Sequence, residues 1–274
     1  MKRALVAPTL KPIEARAVHA NAGVRDWYRK ELQCLLFRVN RSLILHIGAA
    51  WKEAPPITGF AQDAPTSSVL LQRALRKWGG LWTKKFNKLS LDLSRKFARK
   101  SFRTTENAMR DAFKAAGFTV EFKPTPHSVE SYHAVVAENV GLIKSIPSDY
   151  LHDVQTSVWQ SVMKGADLGE LTKTIQSKYG IAHRRAALIA RDQNNKAKAV
   201  IENTRRQELG ISKARWRHSH GGKVPRPAHV AMDGKVYELS KGMYDRDEGK
   251  WIWPGQLINC RCTSKSIIPG LDSP

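Results

Sequence analysis

Acidic residues are scarce in this 274-residue chain: 24 Asp and Glu stand against 46 Lys and Arg, a net charge of +22. Such an imbalance draws a protein to a polyanion, nucleic acid first and an acidic protein second. Cysteine is scarce too. Cys34, Cys260 and Cys262 are the only three, which excludes a disulfide scaffold and suits a reducing compartment. Long apolar runs are missing. The longest, Ser42 to Trp51, is interrupted by His46 and falls far short of the roughly 20 residues a membrane span needs. The first residues, Met1-Lys2-Arg3-Ala4-Leu5-Val6-Ala7-Pro8, hold too short an apolar run for a signal peptide. A soluble protein made in the cytoplasm, with no membrane partner, is expected.

What the chain has is ordinary core-forming material, 42% hydrophobic and 26% charged, with its positive charge unevenly placed. Residues 1–120 hold 23 basic against 8 acidic residues, whereas residues 216–274 hold 9 against 6. The electrostatic footprint therefore lies in the N-terminal half. There the pattern predicts helix over about 13–53, where Trp27, Leu32, Leu35, Leu36, Val39, Leu43 and Ile47 recur at three- and four-residue steps. Cys34 beside that stripe reads as a small core residue. A breaker-rich loop from Ala54 to Ser68 follows as a plausible hinge.

Residues 69–116 read as one or two amphipathic helices with a break at Gly79-Gly80 and a stop at Gly117. Lys84, Lys85, Lys88, Arg95, Lys96, Arg99, Lys100 and Arg103 charge this segment beside an apolar stripe of Trp78, Trp82, Phe86, Leu89, Leu93, Phe97 and Met109. These eight cations are the candidate contact with DNA phosphates. Thr119–Phe122 suits a short strand, and Pro147 a helix start. Asp167 suits a cap for a helix that Gly180 ends. A further helix over 181–209 stops at Gly210, and Ile211–Arg217 enters a strand.

From Trp216 to Cys262 the character changes. Three of the nine His and two of the three Cys fall here, cut into short pieces by Gly, Pro and Asp-Gly. His218, His220, His229, Cys260 and Cys262 are the residue types that hold zinc. Cys-x-Cys has a shorter bite than the usual Cys-x-x-Cys, and there is no second Cys pair. The alternative is that Cys260 and Cys262 point to one side of a strand and pack on Trp216 or Trp253, with Arg261 facing away. That reading is preferred, with no cofactor expected and zinc held as the exception. A nucleophile–base–orienter set of Cys260 or Cys262 with His229 and Asp233 can also be drawn. The His-Glu-x-x-His of zinc proteases and the zinc-deaminase signature are both absent, so no enzymatic activity is expected.

Several strings, taken in order, resemble a known family. They are Arg191-Asp192-Gln193, Trp216-Arg217-His218-Ser219, Pro225-Arg226-Pro227-Ala228-His229, Asp233-Gly234-Lys235, Pro254-Gly255 and Asn259-Cys260-Arg261-Cys262. Together, over about residues 135–268, they resemble the Mu-F-like phage head morphogenesis proteins, also called minor head proteins. The chain departs from that pattern at Trp253, where family members often carry His, and at Gly221-Gly222, where many carry acids. The resemblance implies a minor component of a tailed-phage virion. It would sit at the portal vertex or in the head interior, with portal, capsid or scaffold proteins and double-stranded DNA as partners, and assemble in the host cytoplasm. A zinc-binding or Cys/His-dependent enzyme and a plain DNA-binding accessory protein are the alternatives. The expected fold is α+β: an N-terminal arm and helices over 1–65, a basic helical region over 66–120, and a C-terminal Mu-F-like domain over 121–274. That last domain is expected to pack helices on a small antiparallel sheet.

Overall fold

Leu32, Leu36, Val39, Leu43 and Ile47 are all buried along one face of a single helix, α1 (Ala22–Glu53). Three further long helices follow: α2 (Ser67–Ala115), α3 (Pro126–Lys164) and α4 (Leu168–Glu208). The computed structural model describes residues 12–53, 55, 67–164, 167–221 and 224–268, so most of the expected hinge from Ala54 to Ser68 lies outside the described residues, and its last two residues already belong to α2. The fold is α+β, with the strands gathered late in the chain.

The helices are longer than local signals predict. Gly79-Gly80 lies inside α2, Pro147 inside α3 and Gly180 inside α4, and none of them ends its helix. A helical Gly costs about 1 kcal/mol, and an interior Pro about 3 kcal/mol through its missing N–H and ring clash. Burying Ile143, Ile146 and Tyr150 around Pro147 recovers more than that at roughly 1.5–3 kcal/mol per large apolar side chain. Where no burial competes, the local signals hold. The Asp167 carboxylate accepts the Glu170 N–H at 2.8 Å, and Gly117 and Gly210, both at positive φ, close α2 and α4. Thr119–Phe122 forms no strand.

The chain condenses into two compact units, each drawn from separated stretches. A helical unit comprises residues 23–97 and 135–191. Its core is apolar with two buried tyrosines: Tyr28 donates to Asn139 Oδ1 at 2.9 Å and Tyr150 to Asn40 Oδ1 at 2.6 Å. Cys34 is exposed there rather than part of the core, because it lies two residues from both Leu32 and Leu36, on the far side of the helix from that buried row.

A mixed unit comprises residues 1–22, 98–134 and 192–274 and holds every described strand. These are β1 (Ile13–Glu14), β2 (Lys213–Arg217), β3 (Val236–Glu238), β4 (Met243–Asp245), β5 (Lys250–Ile252) and β6 (Thr263–Ile268), with a short helix α5 (Pro227–Met232) between β2 and β3. One sheet runs β1-β6-β2-β3 and is antiparallel throughout; β4 and β5 pair separately. Ile13 and Glu14 therefore start no helix but pair with Ile268 and Ile267, a partner no local pattern could reveal. Ala214 and Trp216 of β2 face inward into a core with Met109, Phe113, Tyr237, Ile252 and both C-terminal cysteines.

Candidate functional site

The C-terminal half of α4 is polar where it is buried. Asp192, Gln193, Asn194, Lys198, Glu202, Arg205 and Arg206 are all under 9% exposed. Each charge has a partner. Lys198 Nζ lies 3.0 Å from Glu202, which also pairs with Arg206. Arg206 donates to the hydroxyls of Ser264 and Ser266 on β6, at 2.7 and 2.8 Å. Arg205 pairs with Glu106 on α2 and with Glu208. This polar rod fixes the last strand and the loop before it. Asn195 Nδ2 donates to the Cys260 carbonyl at 3.0 Å, and the Asn259 N–H reaches Asp192 at 2.5 Å.

That loop delivers two thiols to one imidazole. Pro227 at the first turn of α5 sets its backbone and places His229 inward. His229 Nδ1 lies 3.5 Å from Cys260 Sγ and 3.6 Å from Cys262 Sγ. On the other side of the ring, Nε2 lies 3.1 Å from the carboxylate of Asp245, the last residue of β4. His229, Cys260 and Cys262 are 2–3% exposed and Asp245 is 0% exposed. The Trp216 ring meets the imidazole edge-on at 5.4 Å. Trp253-Pro254-Gly255-Gln256 turns the chain beneath it, with Gly255 at φ +89 and the Gln256 N–H on the Trp253 carbonyl at 3.1 Å. The Gly255 N–H donates to Cys260 Sγ at 3.3 Å.

Hydrogen bonds from the Cys262 thiol, from His229 and from the Gly255 N–H pull the Cys260 pKa down to about 4, and the same proximity pushes Cys262 up. Burial works against protonated His229, yet its hydrogen bond to Cys260 and the charges of Cys260 and Asp245 hold its pKa above the ordinary value.

Of the five zinc-type residues expected, three converge and two stand aside. The His220 ring bonds Asp233 at 3.2 Å, and His218 Nδ1 accepts the His220 N–H at 3.2 Å. Asp233 accepts the His218 N–H at 2.9 Å. Asp233 is thus not the carboxylate on His229. Asp245 is, and sequence reasoning missed it because β4 alone brings it there; its place among Asp245-Arg246-Asp247-Glu248 gives no distinguishing signal. Cys260 and Cys262 precede β6 rather than lying in a strand, yet both still face one side, with Arg261 exposed and donating to the Gly221 carbonyl at 2.9 Å.

The basic residues of α2 are placed differently. Lys84, Lys85, Lys88, Arg95 and Lys96 are exposed in the helical unit, while Phe86, Leu93 and Phe97 of the same helix are buried there. Leu89, expected in the apolar stripe, is 40% exposed. In the mixed unit Arg99 and Arg103 are exposed and Lys100 is half-buried. Arg99 and Arg103 line an open groove of about 420 Å³ with Phe102, Phe122 and Tyr132. Among the described residues, no acidic side chain forms an ion pair with Lys84, Lys85, Lys88, Lys96, Arg99 or Arg103.

Residues 152–265 match the family described as phage Mu protein F like protein. This segment belongs to the Mu-F-like family. An uncharacterized protein of Haemophilus influenzae is 36% identical over 149 residues, covering 54% of this chain and 31% of that protein. The chain thus spans less than a third of the length of the curated relative it matches. No solved structure matches.

The Mu-F-like segment contains all of α4, β2 and α5, the thiol–imidazole cluster and half of β6, but none of α2. Its recognisable residues are architectural. Asp192, Asn259 and Arg226 hold the cysteine loop, the last by donating to the Ile258 carbonyl at 3.1 Å. Asn259 adopts φ +62, which Asn tolerates better than most residues. A Cβ on Gly255 would meet the Asn195 carbonyl at 3.4 Å. Gln193, Trp216 and Pro254 are buried and Arg191 is half-buried, while Gly234 turns the chain from α5 into β3 at φ +76. Pro225 is exposed just ahead of α5. No helix among the described residues is long and apolar enough to cross a membrane.

Proposed function

We propose that this chain is a minor structural protein of a tailed-phage head, acting in head morphogenesis, at the portal or in DNA packaging and delivery. Its Mu-F-like segment supports the head role. The observation on which the DNA contact rests lies outside that segment: Lys84, Lys85, Lys88 and Lys96 are exposed on one helix, and none forms an ion pair among the described residues. Cations not consumed by internal ion pairs stay available to phosphate oxygens. Contact of this kind neutralises phosphates without reading bases. The portal, capsid or scaffold provides its protein partners, and the virion interior or portal vertex its location.

The test is duplex-DNA anisotropy across a salt series. Because each neutralised phosphate contributes a slope of about −0.9 in log K against log salt, replacing Lys84, Lys85 and Lys88 together by Ala should shallow the slope by about 2–3. Helix content should stay the same. A salt-insensitive interaction, or none, would remove DNA and leave the portal or scaffold as the partner. Localising the protein in assembled particles by mass spectrometry and cryo-microscopy, before and after genome release, separates a virion component from an accessory DNA binder.

A further inference from the structure

His229, Cys260 and Cys262 each direct one ligand atom into a space where these atoms all lie within 4.8 Å of one another. The two S···N separations are 3.5 and 3.6 Å. A tetrahedral zinc with Zn–S about 2.3 Å and Zn–N about 2.0–2.1 Å requires an S···N edge of about 3.5 Å. The two agree.

The far side of the ring carries the arrangement that metal-bound histidines use. A buried carboxylate on Nε2 fixes that nitrogen as the N–H and aims the Nδ1 lone pair at the thiols. Asp245 is in turn held by the Asp247 N–H at 2.9 Å. A backbone N–H already points at Cys260 Sγ, as suits a metal-bound thiolate.

We propose that His229, Cys260 and Cys262 bind one zinc ion with a structural role, Asp245 orienting His229. The fourth position falls to water. Binding expels whatever protons remain on the two sulfurs into solvent and leaves two thiolates on the metal. The ion ties α5 to the loop before β6. In this stretch of the mixed unit β3, β4 and β5 span three residues each, so regular hydrogen bonding holds little.

A Cys260–His229–Asp245 set also has the order of a nucleophile, base and orienter. Two features stand against it. The sulfur is 3% exposed, out of reach of a substrate, and a second thiol on the same nitrogen has no part in such a mechanism.

The experiment uses the full chain, purified without chelator or added metal and measured by inductively coupled plasma mass spectrometry. About one zinc per chain is expected, kept in Cys34→Ser and falling below about 0.1 in the Cys260→Ser/Cys262→Ser variant. If that variant fails to fold, the wild-type protein is stripped with chelator. Its thermal midpoint should drop and return with zinc but not with magnesium. Cobalt substitution should give a thiolate charge-transfer band in the near ultraviolet. Asp245→Asn should weaken zinc binding about 10–100-fold. A metal-free protein whose midpoint ignores both chelator and zinc would overturn the proposal. So would alkylation of Cys260 in the folded, untreated protein, which instead marks a reactive thiolate.

Discussion

The two units bury opposite kinds of side chain. In the helical unit the fully buried positions are Leu32, Leu36, Leu43, Leu71, Phe86 and Ile143 with a few hydroxyl–amide pairs. In the mixed unit, Lys198, Glu202, Arg205, Arg206, His229 and Asp245 are buried beside Trp216 and Tyr237. An apolar core tolerates any filling of the right volume, whereas a buried ion network leaves a penalty wherever one partner is missing. The difference fits the clustering of recognisable residues in the mixed unit, where Asp192 and Asn259 hold each other and Arg226 holds the Ile258 carbonyl.

Cutting one partner from the ionic network should give the largest effect. Glu202→Ala strands Lys198 and Arg206 without their shared carboxylate, and chemical denaturation should show a loss of about 3–5 kcal/mol. Replacing Lys198, Glu202 and Arg206 together with Met, Leu and Met should restore much of it. If the triple variant is as damaged as the single one, the network does more than balance its own charges. On the apolar side, Leu36→Ala, at a site 0% exposed, should cost about 2–5 kcal/mol. Tyr28→Phe keeps the ring against Phe97, at 4.3 Å between centroids, but leaves Asn139 Oδ1 without its hydroxyl donor. The expected loss is about 1–2 kcal/mol.

The smallest effect lies at the sheet edge. A hydrogen bond from Arg215, 2.6 Å away, holds the Glu14 carboxyl below its usual 4.5. Its stabilising contribution is present above pH 4.5 and is lost as pH falls through the lowered folded value. A Glu14→Gln variant should therefore show less loss of stability than wild type below pH 4.5, with the two curves parallel near neutrality.

How much was legible in advance follows the same division. The stripe from Leu32 to Ile47, the Asp167 cap and the Gly117 and Gly210 stops were readable because they are local: spacing and backbone conformation act within one turn. The unbroken passage of α2, α3 and α4 through Gly79-Gly80, Pro147 and Gly180 was not, since burial by distant segments outweighs a local cost. Cys34 was misread for the same reason, its side decided by which helices pack around α1. At the candidate site, His229, Cys260 and Cys262 stood out as residue types, but their convergence did not, and Asp245 gave no signal at all. Ile13 and Glu14, paired with a strand near the other end of the chain, carried none either.

By itself the sequence determined the positive charge, the helical N-terminal half and the ordered strings that make residues 152–265 recognisable as Mu-F-like. These depend on composition and on neighbours a few residues apart. Only the tertiary structure decided that two thiols and a carboxylate meet on opposite nitrogens of His229, and that the charged face of α4 is buried rather than solvated. Those outcomes depend on segments tens of residues apart reaching one place. There each buried charge persists because a partner from elsewhere in the chain arrives to meet it.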